Sequence, residues 1–245
     1  MILVVAEWQG DAPTRATYEV LAAAQACAAG AAPILIVVPG AAAAGPAQAL
    51  AALGVGDVIL LDDPALDAYT ADGYVTALQT CVAQRAPQLV LCAHSYQARD
   101  FAPRLAARLG VPVVTDVIRV EGPPASVVLT RPVFQGRLVA RVQPRGAGQA
   151  VVSVQVGAYR ADAVTNGAPV QVQRVPPGSS PAIRQRPEPP FQEARQAVDL
   201  NQADRIVAVG RGIKAQEHVA LIARLAAALG AEVGASRPIC DSGWL

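Results

Sequence analysis

Three polar side chains late in the 245-residue sequence have the types and spacing to hold an anionic or electron-rich planar ligand. They are Arg211, inside the turn Gly210-Arg211-Gly212, and the adjoining pair Ser236 and Arg237. An arginine is always protonated, and its flat guanidinium can pair with phosphate oxygens or lie along an aromatic ring. The elements between the three decide whether they meet. Residues 205–209 read as a strand, the glycines as a turn, residues 215–229 as a helix, and residues 232–235 as a second strand running into Ser236-Arg237-Pro238. A right-handed crossover makes two such strands parallel. Arg211 and Ser236-Arg237 then lie on one edge of the sheet, at the carboxyl ends of the strands, where open α/β sheets bind ligands. Arg211 is expected at a helix N-terminus, where exposed N–H groups and the dipole favour anions. Lys214, Glu217 and His218 are expected in the first helical turn, with Glu217 suited to the dipole. Taken singly, each arginine reads more readily as a surface charge. Taken together in this motif, the three point to ligand contact.

The order VGRGIK, helix, VGASRP and CDSGW resembles the flavin domain of the electron transfer flavoprotein alpha subunit. In that family the alpha subunit is the large half of a heterodimer that carries electrons on FAD. This sequence departs from the family pattern at Val209, where another glycine is usual. The family's later FAD-contacting turns do not follow within these 245 residues, so the pattern is carboxyl-terminally shortened.

The resemblance implies FAD as cofactor. Arg237 would favour the anionic, one-electron-reduced flavin and raise its potential, Ser236 would hydrogen-bond the flavin or its ribityl-phosphate chain, and Arg211 would sit by the pyrophosphate or the ring edge. It also implies a beta-like partner subunit and electron donors such as acyl-CoA dehydrogenases. The protein would act as an electron carrier rather than a catalyst, needing no acid–base or nucleophilic residue. The roughly 45 residues after the linker are too few to bury a core by themselves, so the isolated chain is expected to bind FAD weakly or not at all. Three alternatives stay open: a non-redox scaffold that binds the partner subunit but no FAD, a fragment of a longer polypeptide, and a nucleotide-binding enzyme using the first half of the chain.

Composition narrows the classes. Hydrophobic residues make up 53% and charged residues 16%, which fits a folded chain with a large core and excludes disorder. A net charge of +1 gives no general attraction to nucleic acid or to an acidic membrane. The four cysteines form no CxxC pair, three of them sit inside apolar helix or strand patterns, and reduced buried thiols are the favoured reading over disulfides or metal ligands; two histidines are too few for a His/Cys metal cluster. The sequence opens directly on a strand, MILVVAE, with no room for a leader peptide, and no apolar run reaches the roughly 18 residues that span a bilayer. A cytoplasmic location without membrane insertion is expected.

Residues 1–120 alternate strand and helix. Strands are expected at 2–6, 33–38, 58–61, 89–93 and 111–115, each a continuous apolar run of the kind found when both faces are covered. Helices are expected at 15–29, 46–53, 73–85 and 99–109, with Gly30, Gly54 and Gly110 as C-caps. The carboxyl edge of this sheet carries Asp62, His94 and Asp116, an acid–base group on one reading and ordinary loop residues on the favoured one. The loop from Gly40 to Gly45 lacks the Lys-Ser/Thr of a phosphate loop. The segment at 98–117 also resembles the family's amino-terminal domain, which serves as scaffold and subunit contact without a cofactor.

Residues 126–175 are valine-rich and read as antiparallel strands with turns at Gly136, Gly146 to Gly148 and Asn166-Gly167. Thr130-Arg131-Pro132 and Gly136 match a family hairpin that faces the other subunit; an exposed strand-end charge is an equal reading of Arg131. Residues 176–190 are rich in proline and serine and read as a linker, followed by a helical stretch at 191–200. The expected architecture is α/β: a doubly wound parallel sheet with an antiparallel extension over residues 1–175, a linker and lead-in over 176–199, and a partial second Rossmann-like flavin domain over 200–245.

Overall fold

Short runs of Val, Ile and Leu set the architecture of the first half. In the computed structural model, which describes residues 1–145, 149–178, 182–188, 200 and 203–245, these runs become strands β1 (Ile2–Val5), β2 (Ile34–Pro39), β3 (Asp57–Leu61), β4 (Leu89–Ala93) and β5 (Val113–Val117). Helices α1 (Arg15–Ala28), α2 (Ala44–Leu53), α3 (Ala71–Arg85) and α4 (Tyr96–Leu109) connect them. Side chains alternate across a strand, so one run feeds two cores. Ile2 and Val4 pack with Val20, Leu21 and Leu50 on the α1–α2 face, and Leu3 and Val5 pack with Leu78 and Phe101 on the α3–α4 face. Thr14, Thr70 and Ser95 cap α1, α3 and α4 through hydrogen bonds accepted from backbone N–H groups. Gly54 and Gly110 end α2 and α4 in the left-handed conformation, as expected, whereas α1 is ended by Ala29 (φ 46°), one residue before Gly30.

The remainder of this unit adds β6 (Arg119–Glu121), β7 (Val128–Val133), β8 (Leu138–Val142), β9 (Ala150–Val154) and β10 (Val172–Val175). The large sheet has seven strands in the order β10-β3-β2-β1-β4-β9-β5, and every pairing in it is parallel. β6, β7 and β8 form a separate antiparallel sheet. The parallel sheet with an antiparallel addition is the expected fold class.

Two valine-rich segments expected to be antiparallel are parallel instead. β9 is buried on both faces between β4 and β5, which suits its unbroken apolar texture, and β10 forms the edge beside β3. Asn166-Gly167 is therefore not a hairpin turn. Gly167 donates its N–H to Leu53 O at 2.8 Å, and a β-carbon on Gly54 (φ 62°) would stand 2.2 Å from Ala168 O, so two backbones touch where α2 ends. The turn at Gly136 is present, with Phe134, Gln135 and Gly136 all at positive φ. Arg131 lies opposite Ala140 in the hairpin, its Nε buried with no hydrogen-bond partner among the described residues. The turn at Gly146 to Gly148 and, but for Leu200, the helical stretch expected at 191–200 lie outside the described residues.

The chain divides into two compact units, Met1–Glu188 and Pro189–Leu245. The proline-rich stretch stays with the first unit as far as Glu188. Pro177 is buried, and Arg184 grips Asp72 through two side-chain hydrogen bonds of 2.8 and 3.0 Å and its own backbone N–H. The second unit holds β11 (Ile206–Val209), α5 (Val219–Leu229), β12 (Glu232–Ala235) and α6 (Arg237–Asp241). β11 and β12 are parallel, with Ile206 opposite Glu232 and Val209 opposite Ala235. Among the described residues, no helix is long and apolar enough to cross a membrane.

Candidate functional site

The second unit sets Arg211, Ser236 and Arg237 at the carboxyl ends of two paired strands. β11 ends at Val209, and Gly210 continues in extended conformation into a short 3-10 turn, Arg211–Ile213. β12 ends at Ala235, and the Ser236 N–H donates to Val209 O at 2.9 Å, which binds the two exits together. A β-carbon on Gly210 would lie 3.9 Å from Ser236 Oγ. The parallel crossover read from the sequence thus places both turns on one rim.

Two details differ from the expectation. Arg211 does not stand at the N-terminus of the helix. Lys214 adopts a left-handed backbone (φ 70°), a second 3-10 turn covers Gln216–His218, and α5 starts only at Val219. A left-handed residue cannot continue a right-handed helix, so Lys214, Glu217 and His218 precede α5 instead of forming its first turn. His218 Nδ1 lies 2.8 Å from Ile213 O and donates to that carbonyl, holding the loop. The second difference is α6, which the sequence reading missed. Ser236 stands at its N-cap and Pro238 in its first turn, and that serine-x-proline order was the available signal.

The rim is open to solvent. Arg237 lies 3.4 Å from Asp241 with its side chain 91% exposed, Arg211 is exposed with no ion pair among the described residues, and Ser236 makes no capping hydrogen bond through its hydroxyl. Two guanidinium groups and an uncommitted hydroxyl on one rim provide donors for an anion and a flat face for a conjugated ring. Among the described residues no cluster of His, Cys, Asp and Glu is able to hold a metal ion.

The corresponding edge of the large sheet is organised differently. Strand order reverses around β1 and β4, the place where doubly wound sheets open a ligand crevice. At this edge the chain's own groups bond to one another. The Trp8 indole N–H donates to Pro39 O at 2.8 Å, with its ring against Gly40, and the Ser95 hydroxyl donates to Glu7 Oε1. Burial raises the Glu7 carboxyl above the ordinary range, opposed by that hydrogen bond. The candidate acid–base group separates into two. Asp62 is held by Arg174 at 2.9 and 3.2 Å, which lowers its carboxyl, whereas His94 Nε2 lies 4.0 Å from Asp116 Oδ1.

A doubly wound parallel sheet joined in sequence to a βαβ unit with a basic rim defines the class, and comparison with known proteins identifies the family. Residues 2–180 match the electron transfer flavoprotein domain, and residues 199–245 match the electron transfer flavoprotein FAD-binding domain. The chain is 32% identical over 198 residues to the electron transfer flavoprotein subunit alpha of Bacillus subtilis, covering 81% of this chain and 60% of that protein. It is 32% identical over 199 residues to the subunit of the same name from Syntrophomonas wolfei, covering 81% and 62%. Protein FixB of Azotobacter vinelandii is also 32% identical over 199 residues, covering 78% of this chain and 54% of its own length. The chain belongs to the electron transfer flavoprotein alpha-subunit family. It spans 54–62% of the length of these relatives.

Proposed function

We propose that the chain is the alpha-type half of an FAD-linked electron carrier. It works with a beta-like subunit in the cytoplasm and passes electrons from flavin dehydrogenases, such as acyl-CoA dehydrogenases, to a downstream acceptor. The carrying observation is the shared rim of Gly210-Arg211 and Ser236-Arg237 inside the segment that matches an FAD-binding domain. The donor set fits the cofactor. FAD presents a pyrophosphate that attracts guanidinium groups and a flat ring that accepts hydrogen bonds, and Gly210 has no side chain to crowd the approach. FAD, when bound, supplies the one- and two-electron chemistry. Arg237 would supply a fixed positive charge to the flavin, Arg211 would pair with the pyrophosphate or the ring edge, and Ser236 would orient the ligand through its hydroxyl. The role is carriage rather than conversion of a substrate, so the chain needs no acid, base or nucleophile of its own.

We propose that residues 1–175 act as scaffold and partner contact, followed by a linker and lead-in over 176–199 and the flavin segment over 200–245. Co-purification with a beta-like subunit tests the proposal. A flavin-containing complex supports the carrier, and a colourless complex makes the chain a scaffold.

A further inference from the structure

His94 is one of two histidines in the chain, and the flavin reading does not use it. It follows β4, with its backbone N–H donating to Val154 O at 2.7 Å. Between β5 and β9 the register slips: Val114 pairs with Val152 and Val117 with Val154, so Thr115 and Asp116 together oppose the single residue Ser153. This is a β-bulge, and Asp116 takes the left-handed conformation in it at φ 60°. The bulged N–H of Asp116 donates to Ser153 Oγ at 3.2 Å, and the same oxygen lies 2.8 Å from His94 Nδ1.

The proton positions follow from what is satisfied. Ser153 is 1% exposed, and its hydroxyl has no other hydrogen-bond partner among the described residues. If Nδ1 carried the proton, it would donate to Ser153 Oγ and leave the serine O–H buried without an acceptor, which is unfavourable. If Nδ1 is bare, it accepts from the serine, and the ring proton sits on Nε2, facing Asp116 Oδ1 at 4.0 Å. The chain of donors then runs from the Asp116 amide through Ser153 and His94 back towards the Asp116 carboxylate.

We infer that His94 is a neutral, Nε2-protonated brace on the Asp116 bulge, and that adding a proton to it removes the serine's acceptor and loosens the junction between the seven-stranded and three-stranded sheets. The junction is short, since Val117 ends β5 and Arg119 begins β6. The charges acting on the ring are Asp116 on β5, Arg99 on α4 and Arg131 on β7. Burial lowers the imidazole below its ordinary range, Asp116 raises it, and the two arginines lower it, with a net downward direction. A lowered histidine has a stabilising neutral form above the ordinary value of about 6.5. That contribution is lost as pH falls from there through the folded value.

Nitrogen-15 NMR of the two imidazoles in the full chain tests this, with His218→Gln fixing the assignment. A bare Nδ1 on His94, a titration midpoint below that of free histidine, and an Asp116 amide protection factor, corrected for intrinsic exchange at each pH, that falls about tenfold as pH drops through that midpoint are the expected results. Ser153→Ala should raise the midpoint, because charging the ring no longer strands a hydroxyl. In His94→Asn the amide oxygen replaces Nδ1 as acceptor, and the Asp116 protection factor should stay high and no longer change with pH. A proton on Nδ1, a midpoint at or above that of free histidine, or the same fall in Asp116 protection factor in His94→Asn overturns the inference.

Discussion

Gly210 and Ser236 meet at the carboxyl rim of the second unit: a β-carbon on Gly210 would stand 3.9 Å from the serine hydroxyl. Gly210 sits at φ −125°, a conformation open to any residue, so its smallness serves approach rather than backbone strain. Gly210→Val should therefore leave the fold intact and crowd the rim. FAD affinity of the complex with a beta-like subunit is expected to drop about tenfold or more, the effect of a lost contact worth about 1.4 kcal/mol. Unchanged affinity in a flavin titration would remove Gly210 from the site.

The Arg184–Asp72 grip makes a different prediction, for acid stability. Arg184 hydrogen bonds hold the Asp72 carboxyl down to about 2. A lowered carboxylate contributes stability that is present above its unfolded value, near 3.9, and lost as pH falls through the folded value. Arg184→Gln should cut the stability of the first unit at neutral pH and free residues 182–188 for proteolysis. The gap in urea midpoint between the two proteins should close below about pH 2. A gap that persists at lower pH would mean the arginine acts through packing alone.

Glu7 has the opposite sign. Burial raises its carboxyl, so its favourable contribution is complete below the unfolded value and disappears as pH rises through the folded one. At pH 7 the group is a burden, and Glu7→Gln, which keeps an acceptor for Ser95, should stabilise the protein. Ser95→Ala should destabilise it by about 1–2 kcal/mol, because Ser95 also caps α4 through the Ala98 N–H at 3.1 Å. Equal urea midpoints for Glu7→Gln and the parent at pH 7 would contradict the buried-charge reading.

Two capping glycines separate strain from crowding. Gly110 has φ 68°, and a β-carbon there would meet nothing within 4 Å, so Gly110→Ala should cost only the left-handed backbone penalty of about 1–2 kcal/mol. Gly54 has a similar φ of 62°, but its β-carbon would stand 2.2 Å from Ala168 O, and Gly54→Ala adds overpacking of about 2 kcal/mol to that penalty. Thermal or urea unfolding that ranks the two variants equally would argue against a rigid contact at residue 168.

The sequence made some of these relationships legible and hid others for physical reasons. Strands β1 to β5 stood out because runs such as ILVV and ILIVV are apolar without alternation, and helix periodicity separates them. β9 carries the same texture, AVVSV, yet its neighbours are β4 and β5, chosen by long-range packing that no local pattern encodes. The shared rim of Arg211 and Ser236 followed from crossover handedness alone, a rule strong enough to place residues 25 positions apart. The left-handed Lys214 was not visible, because lysine carries none of the glycine, asparagine or aspartate signal for that conformation. His94 and Asp116 met because one bulge shifted the register, an event that leaves no mark in spacing.

Among the described residues of the second unit, Val209, Ala226 and Ile239 are the buried hydrophobic ones, while Leu221, Leu225 and Leu229 of α5 are exposed. So small a core leaves α5 and its strands easily opened. Amide exchange in residues 206–239 of the isolated chain is expected to be faster than in β1 and β4 by several orders of magnitude, and to slow when a beta-like subunit and FAD are added. Equal protection in both units without partner or cofactor would contradict this.

The most direct measurement is FAD affinity in the complex of this chain with a beta-like electron transfer flavoprotein subunit, for the parent chain and for Arg211→Ala with Arg237→Ala. The predicted result is a yellow complex whose affinity falls at least about tenfold in the double variant, the loss expected from charge-assisted hydrogen bonds of about 1.5–3 kcal/mol each. A colourless parent complex, or a double variant that holds FAD as tightly as the parent, would contradict the account.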